Sequence, residues 1–247
     1  MKHLLIIGRS GIGKTTLMQR LVQALRGCSI DGFLTEELRE GGNRMGFWFS
    51  CLDGRQMLLA HRRFTSGAKI GHYKVNTDVL DQVGVSVLAR CRKHALVIFL
   101  DELGKMELSS PVFRRAVETI FDKGSCVVAT AGISPIPFVS RLKRRKDVEL
   151  IPLTAANREA VEEELVERLK ARCAQDERMQ DFQRQADRIC EMIVSGDASQ
   201  VDIYIRQTTL HEALIRAFPN QEGLYRLLCE TRFRRLWQQF RSHDTAH

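Results

Sequence analysis

Three short apolar runs, Leu4 to Ile7, Ala95 to Leu100 and Ser125 to Ala131, show no apolar–polar alternation. Unbroken runs of this length suit strands covered on both faces of a parallel sheet. Between them the spacing changes to threes and fours, as in Leu17, Leu21, Val22 and Leu25, in Val79, Leu80, Val83, Val87 and Leu88, and in Val112, Phe113, Ala116, Val117 and Ile120. Each set predicts a helix with one apolar face, the second beginning at Thr77 and the third at Pro111 after Ser109 and Ser110. Ser29 to Thr35 and Val148 to Ile151 add two strands. A short basic helix is expected at 138–145 after Pro135 and Pro137, and another from about Ala156, capped by Thr154 and carrying Val161, Leu165 and Leu169. The sum is an α/β core of about five parallel strands.

Residues 36–60 break the alternation of strand and helix. A Gly41-Gly42 turn, the run Phe47-Trp48-Phe49 and an Asp53-Gly54 turn predict an antiparallel hairpin inserted beside the parallel sheet, with Trp48 packing rather than stacking on a base. Residues 61–76 read as loop. From residue 170 onward the pattern is helical: Met179, Phe182, Ala186, Ile189 and Ile193, then Leu210, Leu214 and Ala217, a break at Pro219-Asn220, and finally Leu224, Leu227, Leu228, Phe233, Leu236, Trp237 and Phe240.

The first strand runs directly into Gly8-Arg9-Ser10-Gly11-Ile12-Gly13-Lys14-Thr15-Thr16, which matches G-x-x-x-x-G-K-[ST] without a gap. Backbone N–H groups can wrap a phosphate only where glycine lets the chain pass close or take positive φ, and Gly8, Gly11 and Gly13 supply those positions. Lys14 is placed to reach the β- and γ-phosphates, the Thr15 hydroxyl to bind Mg²⁺, and the helix that follows directs its positive end at the anion. The run Ala95–Leu100 ends in Asp101-Glu102, a Walker B strand that carries two carboxylates to the sheet edge where the loop lies. Asp101 is then a candidate Mg²⁺ ligand and Glu102 a candidate to polarise the attacking water. Lys105 follows at once, either stabilising transition-state charge or pairing with Glu107 or Glu102.

Composition changes this picture little. With 247 residues, 44% hydrophobic and 28% charged, the chain can bury a sizeable core. No run approaches a membrane span, and a strand and phosphate loop stand where a signal peptide would lie, so a cytoplasmic protein is expected. The seven cysteines are scattered without a C-x-x-C pair, which argues against a zinc knuckle or a disulfide framework. Charge is uneven: residues 1–154 hold 24 Lys and Arg against 14 Asp and Glu, whereas 155–247 hold 14 against 16. Arg141, Lys143, Arg144, Arg145 and Lys146 form a basic cluster. A solvated helix face explains it more simply than nucleic-acid binding does, since no aromatic residues are interleaved.

Four stretches resemble the cancer-related nucleoside-triphosphatase family, small P-loop proteins that hydrolyse a broad range of NTPs. They are Gly8 to Thr16; Gly32 to Glu37 with Arg39, Arg44, Gly46 and Phe47; Gly71 to Asn76; and Asp101-Glu102-Leu103-Gly104-Lys105-Met106-Glu107-Leu108, where Leu103 replaces the family's usual Ile. The resemblance covers about residues 1–168. It implies a RecA-like P-loop core, Mg²⁺-dependent cleavage of the β–γ bond, and nucleotide contacts from the loop and from Asp101, Glu102, Leu103, Gly104 and Lys105. Thr35 and Glu36 fall where the γ-phosphate could be sensed. Residues 169–247 depart from the family as an all-helical extension with no recognisable chemistry, its histidines His211, His243 and His247 isolated.

The function expected is therefore NTP hydrolysis to NDP and phosphate, with Lys14, Glu102 and Lys105 catalytic and Thr15 and Asp101 holding Mg²⁺. Arg39, Arg44 and Arg141 are equal candidates for an additional transition-state arginine. Two alternatives share the same loop: a nucleotide or nucleic-acid kinase, and a nucleotide-controlled module whose segment 169–247 engages a protein partner. Glu102 directly after Asp101 favours water as the acceptor.

Overall fold

The computed structural model describes residues 2–122, 124–219 and 222–241. Asn220, His243 and His247 lie outside the described residues, as does the side chain of Leu224. The chain divides into two compact units, Met1–Cys173 and Ala174–His247.

The first unit is built on a nine-stranded sheet. Its parallel part comprises β1 (His3–Gly8), β2 (Ile30–Glu40), β7 (Val97–Leu100), β8 (Cys126–Gly132) and β9 (Val148–Pro152), in the order β2-β7-β8-β1-β9. The apolar runs are buried on both faces, as expected. Leu5, Ile98, Leu100, Val127 and Ala129 turn to one side, towards α2 (Val85–His94), α3 (Pro111–Phe121) and α4 (Pro137–Leu142). Leu4, Ile6, Val97, Phe99 and Val128 turn to the other, against α1 (Lys14–Ala24) and the start of α5 (Arg158–Ser195). The first side is anchored by Phe33 stacked on Phe49 at 4.4 Å, with the Phe113 ring edge-on to both.

The antiparallel part is larger than the predicted hairpin. β2 outlasts its parallel partner, so Ile30–Phe33 pairs with β7 while Phe33–Glu40 pairs with β3 (Asn43–Cys51). The Gly41-Gly42 turn has positive φ at both residues (55° and 79°), a conformation that glycine adopts without strain. β4 (Gln56–His61) returns through the Asp53-Gly54 turn, and β6 (Tyr73–Val75) and β5 (Ala68–Ile70) complete the order β5-β6-β4-β3-β2. The segment read as loop thus holds two strands, each of three residues, too short to display a period of two.

Other boundaries need small corrections. Ser110, as predicted, precedes the helix at Pro111, and its hydroxyl accepts from the Phe113 amide at 3.0 Å. Thr154 does not cap the following helix with its side chain. Its amide donates to Asn157 Oδ1 at 2.8 Å, and the helix begins at Arg158.

The expected division at 168/169 falls inside α5, which is continuous from one unit into the other. In the second unit, the later turns of α5, α6 (Gln200–Ala217), α7 (Glu222–Tyr225) and α8 (Thr231–Phe240) enclose Phe182, Ile189, Ile193, Ile203, Leu210, Leu214 and Phe233. Ser199 caps α6 through the Asp202 amide. Three residues assigned by spacing to the apolar face are instead exposed: Leu227 (76%), Leu228 (37%) and Phe240 (47%). His211 lies against Tyr225, ring centroids 4.3 Å apart. Among the described residues no helix is long and apolar enough to cross a membrane.

Candidate active site

The loop between β1 and α1 has the backbone its sequence demands. Gly11 and Gly13 take φ of +77° and +102°. A Cβ on Gly8 would come within 2.8 Å of Ile12 Cγ2 and 3.1 Å of the Leu153 carbonyl. Glycine is required at the first two by conformation and at the third by space. Lys14, the first residue of α1, is buried. Its ammonium donates to the Gly8 and Arg9 carbonyls at 3.3 and 3.2 Å and lies 3.6 Å from Glu102 Oε2. A buried cation held by three oxygens at the mouth of a helix N-terminus is set to exchange those oxygens for an anion's.

Asp101 leaves the end of β7 and is fully buried. Thr130, from the adjacent β8, donates its hydroxyl to Asp101 Oδ1. Oδ2 is also buried and accepts no hydrogen bond among the described residues. Burial pushes the Asp101 carboxyl up to about 6 and the charge of Glu102 adds to this, while the hydroxyls of Thr130 and Thr15 and the ammonium of Lys14 favour the ionised form. A buried carboxylate oxygen without a donor, beside a threonine hydroxyl and next to a phosphate loop, is the donor set that a hard divalent cation takes. These residues fit Mg²⁺.

Glu107, two residues past Lys105, is buried across the same space. Its Oε2 accepts from the Gly104 amide at 3.1 Å and its Oε1 from the Thr35 hydroxyl at 3.4 Å. Burial pushes its carboxyl up to about 8, helped by the charges of Glu102 and Asp101. Glu107 therefore ties β2 to the turn that carries Glu102 and Lys105. Lys105 itself is exposed and pairs with neither Glu107 nor Glu102.

Lys14, Glu102 and Glu107 line an open cleft of about 420 Å³. The loop contributes Ser10, Gly11, Gly13, Lys14, Thr15 and Thr16, and the turn after β7 contributes Glu102 and Gly104 to Glu107. Thr35, Glu37, Arg44, Phe47 and Ile70 come from the antiparallel half. Of the predicted contact residues, Gly8, Arg9, Ile12, Asp101 and Leu103 do not line the cleft: Ile12 and Leu103 pack into the core and Asp101 is fully buried.

Strand alternation separates the remaining candidates. Thr35 faces the cleft, whereas Glu36 turns to Gln19, Ser50 and Gln56. Phe47 lines it and Trp48 does not. Among the three arginines, Arg44 is in the cleft, paired with Glu37 at 2.7 Å, while Arg141 is held by Glu118 at 2.8 Å outside it. Arg39 pairs with Glu37 and does not line the cleft.

Sequence reasoning did not bring Thr130 or Glu37 to the site, nor give Phe47 its lining role. Thr130 had a signal, being the single polar residue inside the apolar run of β8. The others depend on which strands neighbour the loop.

A strand, a glycine loop, a helix opening on a buried lysine and an acidic residue ending a strand two places along the sheet define a P-loop nucleotide-binding protein. Residues 3–166 match the profile of the family described as NTPase. The chain is 43% identical over 167 residues to the nucleoside-triphosphatase THEP1 of Thermotoga sp. (strain RQ2), covering 68% of this chain and 95% of that protein. It is 33% identical over 180 residues to the cancer-related nucleoside-triphosphatase homolog of Mus musculus, covering 67% and 95%. The crystal structure of THEP1 from the hyperthermophile Aquifex aeolicus superposes with a TM-score of 0.61 at 35% identity, over 66% of this chain and 96% of that one. A solution structure of a human cancer-related nucleoside triphosphatase gives 0.61 at 30% identity, over 69% and 98%. The chain belongs to this NTPase family and adds to it a helical C-terminal region.

Proposed function

We propose that the protein is a Mg²⁺-dependent nucleoside triphosphatase that hydrolyses the β–γ bond of ATP, GTP and other NTPs to NDP and phosphate. The observation that carries this reading is the convergence of Lys14, the unsatisfied Asp101 oxygen and Glu102 on one phosphate loop. Lys14 and the loop N–H groups hold the triphosphate, with Thr15 and Asp101 as the Mg²⁺ ligands. The ion, when bound, neutralises charge on the phosphate oxygens. An incoming γ-phosphate competes with Glu102 for Lys14, which frees the Glu102 carboxylate to accept a hydrogen bond from the attacking water and orient it. Lys105, exposed at the rim, supplies positive charge to the transition state. Arg44 is the arginine best placed to join it, on release from Glu37.

The test is phosphate release from ATP, GTP, CTP and UTP with Mg²⁺. The intact chain is expected to turn over several NTPs. Glu102→Gln should bind nucleotide but lose about 10²- to 10⁴-fold in rate, and Lys14→Ala should lose binding. Tight binding without phosphate release, or transfer of γ-label to a hydroxyl, would refute hydrolysis.

We further read residues 1–168 as the catalytic domain and 169–247 as a separate domain that engages a protein partner. Val201, Tyr204 and Ile205, exposed by 56–69% on one face of α6, support that role. The basic segment 141–146 is partly neutralised by Glu118, Asp122 and Asp147, which favours a solvated face over a nucleic-acid site. The scattered cysteines, most of them buried, fit a reducing, cytoplasmic compartment.

A further inference from the structure

The cleft described above extends from the phosphate loop in one direction only. Along the sheet edge the order is β2-β7-β8-β1-β9. The loop follows β1, and the carboxylates end β7, two places away. A triphosphate whose γ end faces those carboxylates directs its nucleoside the opposite way, towards β9 and the turn that leads from it into α5.

Arg158 is the first residue of α5 and is exposed. A Cβ built on Gly13 would lie 3.7 Å from both Cδ and Nη1 of Arg158, so the arginine stem crosses the phosphate loop at the start of α1. No hydrogen bond or ion pair holds its guanidinium among the described residues. Glu162, one turn further along α5, is already taken by Arg20 at 2.7 Å.

We infer that Arg158 forms the nucleobase subsite by laying its guanidinium plane on the face of the base. The inference rests on the reading of the loop as an NTP site. Stacking on a planar cation needs only a π-face and so accepts purine and pyrimidine alike. A subsite of this kind gives affinity for the nucleoside without selecting a base, which matches a chain that carries no guanine-reading N-K-x-D element.

The test compares binding of the β,γ-imido analogues of ATP and GTP with binding of inorganic tripolyphosphate, all with Mg²⁺, by calorimetry on the intact chain. Arg158→Ala is expected to weaken both nucleotide analogues by about fivefold and to leave tripolyphosphate unchanged. Arg158→Lys keeps the charge but loses the plane, and should not restore nucleotide affinity. Melting of the nucleotide-free variants at the parent temperature verifies their fold. Unchanged nucleotide affinity in Arg158→Ala would overturn the subsite. So would equal weakening of nucleotide and tripolyphosphate with rescue by lysine, which would make Arg158 a phosphate contact. None of these outcomes depends on turnover: absence of phosphate release by the parent chain refutes the hydrolase, not the subsite.

Discussion

Thr130→Val isolates the hydrogen bond that holds Asp101. Valine has nearly the shape of threonine, and position 130 is fully buried in β8, so the change removes a hydroxyl with little disturbance of packing. What it removes is the Thr130 hydroxyl that donates to Asp101 Oδ1, which leaves the carboxylate with the Thr15 hydroxyl and the Lys14 ammonium to favour its ionised form. A hydrogen bond to a charged group contributes about 1.5–3 kcal/mol, and loss of a partner that orients a metal ligand costs roughly 10- to 100-fold in metal affinity. The two estimates agree. Half-saturation by Mg²⁺, measured as phosphate release at saturating ATP, is expected to rise by about one to two orders of magnitude. Thr130→Ser retains the donor and should stay near the parent value. The empty variant also loses stability, so the diagnostic quantity is the metal dependence and not the absolute rate. An unchanged Mg²⁺ midpoint in Thr130→Val, or an equal shift in Thr130→Ser, would refute the role given to this bond.

Two further outcomes concern the framework under the site. Phe49→Ala empties a fully buried position stacked on Phe33 and should cost about 3–5 kcal/mol, lowering the first thermal transition by more than about 6 °C; a smaller shift would mean that the Phe33–Phe49–Phe113 cluster is not the anchor of that face. His3 is buried, with Nδ1 accepting from the Val127 amide and Nε2 facing the Phe121 carbonyl at 3.0 Å, the pattern of a neutral imidazole. Burial lowers its pKa below the ordinary value, outweighing Asp147, which acts to raise it; Arg145 adds to the lowering. Because the folded pKa is depressed, the unfolded chain takes up the proton first as pH falls. Unfolding free energy should therefore hold above pH ~7 and decline below about 6.5. Denaturant titrations at pH 7.5 and 5.5 check this, and a His3→Gln variant should show less of that decline.

The parallel half of the fold was legible because burial on both faces leaves a simple trace. Ala95–Leu100 could be placed as a central strand from six consecutive apolar residues, and its last position then located Asp101 without any structure. The phosphate loop follows from the same logic: glycine, lysine and threonine at fixed spacing have few other uses after a buried strand. The antiparallel half left a weaker trace. β5 and β6 are three residues each and cannot show alternation, and β2 changes partner midway, at Phe33, with nothing in its composition to mark the change.

That change of partner explains why part of the site was out of reach. Thr35 and Glu36 were equal candidates in sequence, and only the pleat of β2 separates them, Thr35 towards Glu107 and the cleft, Glu36 towards Gln19 and Ser50. The same alternation on β3 admits Phe47 and excludes Trp48. Arg158 was invisible for a different reason. It lies 145 positions from Gly13, and only the parallel pairing of β9 beside β1 brings the start of α5 across the loop. Residues that bind phosphate are local to one turn of chain and can be read as a motif. Residues on either side of the loop come from whichever strands flank β1 and β7, so their identity is settled by sheet order, which a single sequence states only indirectly.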